Sequence, residues 1–330
     1  MTSHSMPSTG RVGAHSVPAR KARSPRSRHG TMGARHPQLW AWMFLGPAVL
    51  LFGLVIAYPT IASLKDSLYR TPAFGTKEFS GLENYRALVQ DHLFWKSLSV
   101  TAIWTVVVVP AVAILGLLLA LALHTRWLKG VGFWRTVYFA PVMTSMVAAS
   151  YTWKWLFDPG NGIINVVLRH LGVAHPPEWL ASPTWALPAV MAVAIWQQIG
   201  YAMILYLAGL QTIPSYLYEA AELDGATGWK KFRYITVPLL NPTIVFVSMI
   251  LVINAFRVFT IPYVMTSGSL SGQTAGGPLD STRVFVLQIY DVAWSQFNFG
   301  YGAANAMILM LLTIVVSVVQ MRIVQRPFEY

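Results

Sequence analysis

Residues 98–123 read LSVTAIWTVVVVPAVAILGLLLALAL, a run of 26 without a charged side chain. An α-helix needs about 20 mainly apolar residues to cross the hydrocarbon of a bilayer, whereas a buried strand uses only about 4–8. The run therefore reads as a membrane-spanning helix. Five further stretches meet the same test: Trp40–Leu64, Val137–Phe157, Trp185–Leu210, Leu239–Pro262 and Tyr301–Met321. The short alternating segments of a membrane barrel are absent. Composition agrees with an all-α integral membrane protein of six transmembrane helices. Of 330 residues, 55% are apolar and only 11% charged, against about 25% charged in a soluble domain. Too few charges remain to clothe a water-facing surface. The lack of cysteine excludes disulfides, thiolate metal sites, iron–sulfur clusters and a cysteine nucleophile.

Charge sets the orientation. Before the first span lie Arg11, Arg20, Lys21, Arg23, Arg26, Arg28 and Arg35, without one acid. Arg126, Lys129 and Arg135 follow the second span, Lys230, Lys231 and Arg233 the fourth, and Arg322 and Arg326 the sixth. Fifteen of the 24 basic residues thus collect on one side, while the other nine are balanced by eight of the twelve acids. Positively charged loops stay in the cytoplasm, so both termini are expected there. The chain divides into a basic cytoplasmic tail over 1–38, a six-helix membrane domain over 39–325 and a short cytoplasmic tail over 326–330. The first of these, rich in Ser, Pro, Gly and Arg, is expected to be disordered. It is too long for the charged region of a signal peptide, so the first span reads as a retained helix. Pro47, Pro110, Pro141 and Pro188 each remove a backbone donor within a span and are expected to kink it.

The loop between spans four and five, 211–238, reads with its continuation QTIPSYLYEAAELDGATGWKKFRYITVPLLNP. Pro214 suits a helix start, where its missing N–H would be unpaired anyway, and Thr212 is a plausible cap. A short helix through Leu223 should close at Asp224–Gly225, because glycine supplies the left-handed residue that ends a helix. A second short helix is expected from about Gly228 to just before Pro238. Ala220 and Ala221 would form a flat landing face, and Phe232 and Ile235 would hold the pair against the bundle. On physical grounds alone an amphipathic interfacial loop fits equally well.

The spacing adds a resemblance. Glu219-Ala220-Ala221, Asp224-Gly225-Ala226, Phe232, Ile235, Pro238 and Pro242 resemble the cytoplasmic coupling loop of ABC importer permeases, at ten positions with fixed offsets. Three further stretches are similar to the carbohydrate-uptake branch of that family: Gly81-Leu82-Glu83-Asn84-Tyr85, Trp153-Lys154-Trp155-Leu156-Phe157-Asp158-Pro159, and Phe256-Arg257-Val258-Phe259 with Tyr263 and Thr266. The chain departs from the branch at Thr260, where an Asp is usual, and at Gly276-Gly277-Pro278, which follows an apparent insertion. The resemblance covers about residues 40–325. It implies a multi-pass cell-membrane subunit that pairs with a second, homologous permease. It also implies a cytoplasmic ATPase dimer gripping the coupling loop, and an extracytoplasmic binding protein delivering a sugar. Glu219 would meet a basic or polar group of the ATPase, Ala220 and Gly225 would allow close approach, and Asp224 would fix the turn. ATP and Mg would reside on that partner, so this chain is expected to hold no cofactor.

Polar side chains at membrane depth are candidates for function. Gln197 and Gln198 lie near the middle of span four, with Tyr201 one turn on, and Asn254 lies in the outer half of span five. Amides offer paired donors and acceptors suited to hydroxyls, and aromatic faces suit sugar C–H surfaces. They would line a sugar path, or else hydrogen-bond to the partner subunit. Lys154 and Arg257, near outer helix ends, are expected to snorkel to the lipid headgroups, and Trp153 and Trp185 to sit in an interfacial belt.

No G-x-x-x-x-G-K-[ST] or H-E-x-x-H pattern is present, so the chain reads as no enzyme. A basic tail without interleaved aromatics argues against nucleic acid. An ion-coupled secondary transporter of a small polar solute is the rival class, and it would want acidic residues at membrane depth. None of the six spans holds a central Asp or Glu.

Overall fold

The computed structural model describes residues 37–71, 76–125, 130–268 and 275–324. All but the last two residues of the basic tail 1–38, the loop residues Arg126 and Lys129, and the tail 326–330 lie outside the described residues. The chain forms two compact units, dividing after Val55. The first holds α1 (Pro37–Phe52), with Pro47 inside it and exposed apolar side chains along it.

The second unit begins with α2 (Tyr58–Asp66), a two-stranded ribbon of β1 (Tyr69–Arg70) and β2 (Glu78–Phe79), and α3 (Glu83–Gln90). There follow α4 (His92–His124), α5 (Val131–Met143), α6 (Met146–Leu156), α7 (Ile163–His170), α8 (Ala186–Gln211), α9 (Ser215–Leu223) and α10 (Gly228–Lys231). Then come α11 (Val237–Phe256), α12 (Thr260–Thr266), α13 (Phe285–Tyr290) and α14 (Phe299–Val324). Among the described residues, five helical stretches are long and apolar enough to cross a membrane: Ala41–Asp66, His92–His124, Ala186–Gln211, Gly228–Phe256 and Phe299–Arg322.

The expected third span, Val137–Phe157, is not one helix. Pro141 sits in the last turn of α5, and Thr144 then turns extended at φ −79°, ψ 150°. The Thr144 hydroxyl donates to the Pro141 carbonyl, 2.7 Å. Ser145 starts α6 by accepting the Ala148 N–H at 3.5 Å, the role of an N-cap. The expected fifth span likewise stops at Phe256, and Phe259 (φ −144°, ψ −57°) separates it from α12.

Prolines act through local backbone shape. Pro188 falls in the first turn of α8, where its missing N–H costs nothing, so no kink is needed there. Pro59 and Pro238 lie inside long helical stretches, and the turn before each is widened into a π-turn, Gly53–Ala57 and Phe232–Thr236. The proline ring would otherwise meet the carbonyl four residues back, and a widened turn relieves that crowding. The second short helix of the 211–238 loop therefore does not end before Pro238. It runs on through the π-turn into α11, as one stretch from Gly228 to Phe256.

The core of the second unit lies where α4, α8 and α11 meet. Trp104, Val112, Met203, Tyr206, Leu240 and Val247 are fully enclosed there. Close helix approach depends on small residues. A Cβ at Gly116 of α4 would lie 2.7 Å from the Ala202 Cβ of α8, and one at Gly200 would lie 2.0 Å from the Tyr138 carbonyl oxygen of α5. Gly200→Val is expected to destabilise the fold by about 1–3 kcal/mol or more, read as a lower unfolding temperature in detergent. Wild-type stability would show that α5 and α8 are not in this contact. After α12, the buried Arg283 gathers Asp280 (2.6 Å), Gln288 (2.9 Å) and Asp291 (3.0 Å), and Thr101 of α4 accepts the Phe285 N–H at 2.8 Å.

Candidate functional site

Two features stand out, a projecting knuckle and a cavity. The knuckle is the end of α9. Asp224 is the last half-helical residue, and Gly225 adopts φ +73°. The Gly225 N–H donates to the Glu222 carbonyl at 3.0 Å, and the Ala226 N–H to the Ala221 carbonyl at 2.8 Å. This pair of bonds is the Schellman closure, which satisfies carbonyls the helix would leave orphaned. It explains the spacing of the stretch: the left-handed position favours glycine, and the flanking half-buried Ala221 and Ala226 close the cap. Thr212 does not cap α9. It is still in helical conformation, and its hydroxyl donates to the Gly209 carbonyl at 2.8 Å, ending α8. Pro214 precedes α9 in its place.

Inward-facing bonds hold the knuckle. The Tyr218 hydroxyl lies 3.0 Å from the Thr236 hydroxyl of the π-turn, and Lys231 donates to Glu222. That ion pair is largely exposed on the Glu222 side, so it contributes at most about 1 kcal/mol. Phe232, Ile235 and Pro238 are half-buried, as a supporting face requires. Glu219, Ala220 and Asp224 are exposed, and Glu219 has no ion-pair partner among the described residues. Beside them stand Tyr216, Leu223 and Trp229, with Leu223 91% exposed. Sequence reasoning missed these three, since nothing in their spacing separates a docking face from a packed one. Glu219 and Glu222 also edge a cavity of about 660 Å³ at the ends of α4 and α8.

The second feature is a cavity of about 470 Å³, within the range of about 300–1,000 Å³ usual for small-molecule sites. Gln197, Gln198, Tyr201 and Asn254 all line it. The first three were singled out as neighbours on the fourth span and Asn254 on the fifth, and the fold brings the two sets together. None of the four side chains is hydrogen-bonded to another described residue. Both helix breaks reach the same space: Val142 and Met146 flank the gap between α5 and α6, and Arg257 to Phe259 form the gap between α11 and α12. Irregular backbone at membrane depth is tolerated where it is enclosed by protein or lines a wet cavity.

Arg257, expected near the headgroups, is exposed and also lines this cavity. The Lys154 ammonium donates to the Ser267 carbonyl, an orphan at the end of α12 that favours a cation. Trp153 is half-buried against Phe157 and Trp196, with ring centroids 5.6 and 5.4 Å away. Trp179 stands 5.5 Å from Phe157 and 5.4 Å from Trp185. These rings form an aromatic row whose two ends, Trp196 and Trp185, are exposed. The position of Arg257 beside a helix break carried no mark in the sequence.

Comparison with known proteins gives a consistent result. A family model described as "Binding-protein-dependent transport system inner membrane component" matches residues 92–328. The chain is 35% identical over 288 residues to the lactose transport system permease protein LacF of Rhizobium radiobacter, covering 87% of this chain and 94% of the relative. It is 34% identical over 290 residues to the sn-glycerol-3-phosphate transport system permease protein UgpA of Agrobacterium fabrum, covering 88% and 96%. In fold it is similar to a crystal structure of a bacterial ABC transporter that imports the acidic polysaccharide alginate. There the TM-score is 0.76 at 22% identity, over 89% of this chain and 97% of that one.

Proposed function

The chain belongs to the inner-membrane components of binding-protein-dependent transport systems, the ABC importer permeases of the carbohydrate-uptake type, and from that premise we propose that it forms half of a path for a sugar or oligosaccharide. In this reading the chain crosses the membrane six times, α5 and α6 together making the third, broken crossing. Both termini and the 211–238 loop face the cytoplasm. A second permease completes the path, and a binding protein delivers the solute from outside. An ATPase dimer receives the knuckle at Glu219, Ala220 and Asp224. The relatives named for lactose and for sn-glycerol 3-phosphate support a polyhydroxylated solute. So does the chemistry of the 470 Å³ cavity, where amides and aromatic rings stand side by side.

The observation that carries the proposal is the convergence of four unbonded polar side chains and two helix breaks on one cavity. Movement of the solute follows from population shift. Turning an inward–outward equilibrium from 1:99 to 99:1 takes about 5.5 kcal/mol of differential binding. A capped helix ending in a glycine closure is stiff enough to transmit such a push. The test is reconstitution in proteoliposomes with and without the ATPase subunits. Solute accumulation that needs ATP hydrolysis supports the proposal. Accumulation by the chain alone, or driven by a proton or sodium gradient, would overturn it in favour of the ion-coupled class.

A further inference from the structure

The 470 Å³ cavity holds one formal charge. Arg257 is the single Asp, Glu, Lys or Arg among its described lining residues, and its guanidinium has no hydrogen bond or ion pair to any described residue. Arginine stays protonated at every physiological pH. Arg257 is exposed, the first residue past the end of α11, so its charge is available to whatever enters the cavity. Thr260, three residues on and lining the same cavity, is uncharged. The neighbours are amides and rings: Gln197, Gln198, Asn254, Tyr201 and Phe259. They can take hydroxyls and sugar faces but supply no counter-charge.

We infer that the solute is anionic: a polyhydroxylated molecule bearing a carboxylate, sulfonate or phosphate, which pairs with Arg257 as it crosses. The planar guanidinium fork matches such oxyanions with two parallel hydrogen bonds. The inference rests on the importer reading above, and narrows the substrate class within it.

The experiment uses proteoliposomes bearing the complete transporter with internal ATP. Radiolabelled matched pairs are offered: glucose and glucuronate, cellobiose and cellobionate, glycerol and glycerol phosphate. At least one anionic member should accumulate faster than its neutral twin. Arg257→Gln should lower that anionic uptake about tenfold or more and lower any neutral uptake far less, while Arg257→Lys should restore much of the anionic uptake. Preference for the neutral member in every transported pair would overturn the inference and leave the importer reading standing. Equal loss of neutral and anionic uptake in Arg257→Gln would also overturn it, making Arg257 a structural contact. No ATP-dependent uptake of any probe would overturn the importer reading itself, and this inference with it.

Discussion

Reversing the charge at Glu219 is expected to uncouple transport from ATP hydrolysis. The side chain is exposed and unpaired among the described residues, so Glu219→Lys should leave the unfolding temperature of the purified chain unchanged. A hydrogen bond to a charged group contributes about 1.5–3 kcal/mol. Losing one, and placing a cation where the partner would offer a basic or polar group, should weaken ATPase association about tenfold or more. Solute-stimulated ATP hydrolysis should fall in proportion. Gly225→Val tests the same element by another route. A β-branched side chain at φ +73° costs about 1–2 kcal/mol, and the Schellman closure would shift with it. Normal coupling in both variants would remove the knuckle from the mechanism.

The second large effect concerns the cavity. Gln197→Leu and Asn254→Leu keep side-chain size but remove the amides. If these groups hydrogen-bond solute hydroxyls in transit, uptake should fall by about a factor of ten per lost bond. Basal ATP hydrolysis and assembly with the second permease should persist. The split between uptake and assembly is what separates a path residue from a helix–helix contact. Loss of assembly with uptake per assembled complex unchanged would place the amides at the interface between permeases.

The bundle was legible because membrane physics is simple. Runs such as 98–123 can be little else, and α4, α8 and α14 lie within a few residues of the stretches their hydropathy marks. The knuckle was legible for a different reason: a Schellman closure demands glycine at one position and small neighbours around it, so its geometry is written in residue types. What sequence hid were the breaks. A hydropathy window cannot see that Ser145 caps a new helix or that Phe259 interrupts the fifth, because Ser, Thr and Phe occur freely inside spans. The end of α11 also sets Arg257 on the cavity wall, a place its sequence position did not reveal. Pro238 shows the reverse error, a proline taken as a stop where a π-turn lets the helix continue.

The absence of cysteine from the chain makes the central claim open to a direct measurement. Ala220→Cys introduces one thiol on the exposed face of the knuckle, to be labelled with a membrane-impermeant maleimide in intact cells and in inside-out vesicles. Label should appear in the vesicles alone, be blocked when the ATPase is bound, and return when the ATPase is stripped away. Labelling in intact cells, or labelling indifferent to the ATPase, would contradict the account.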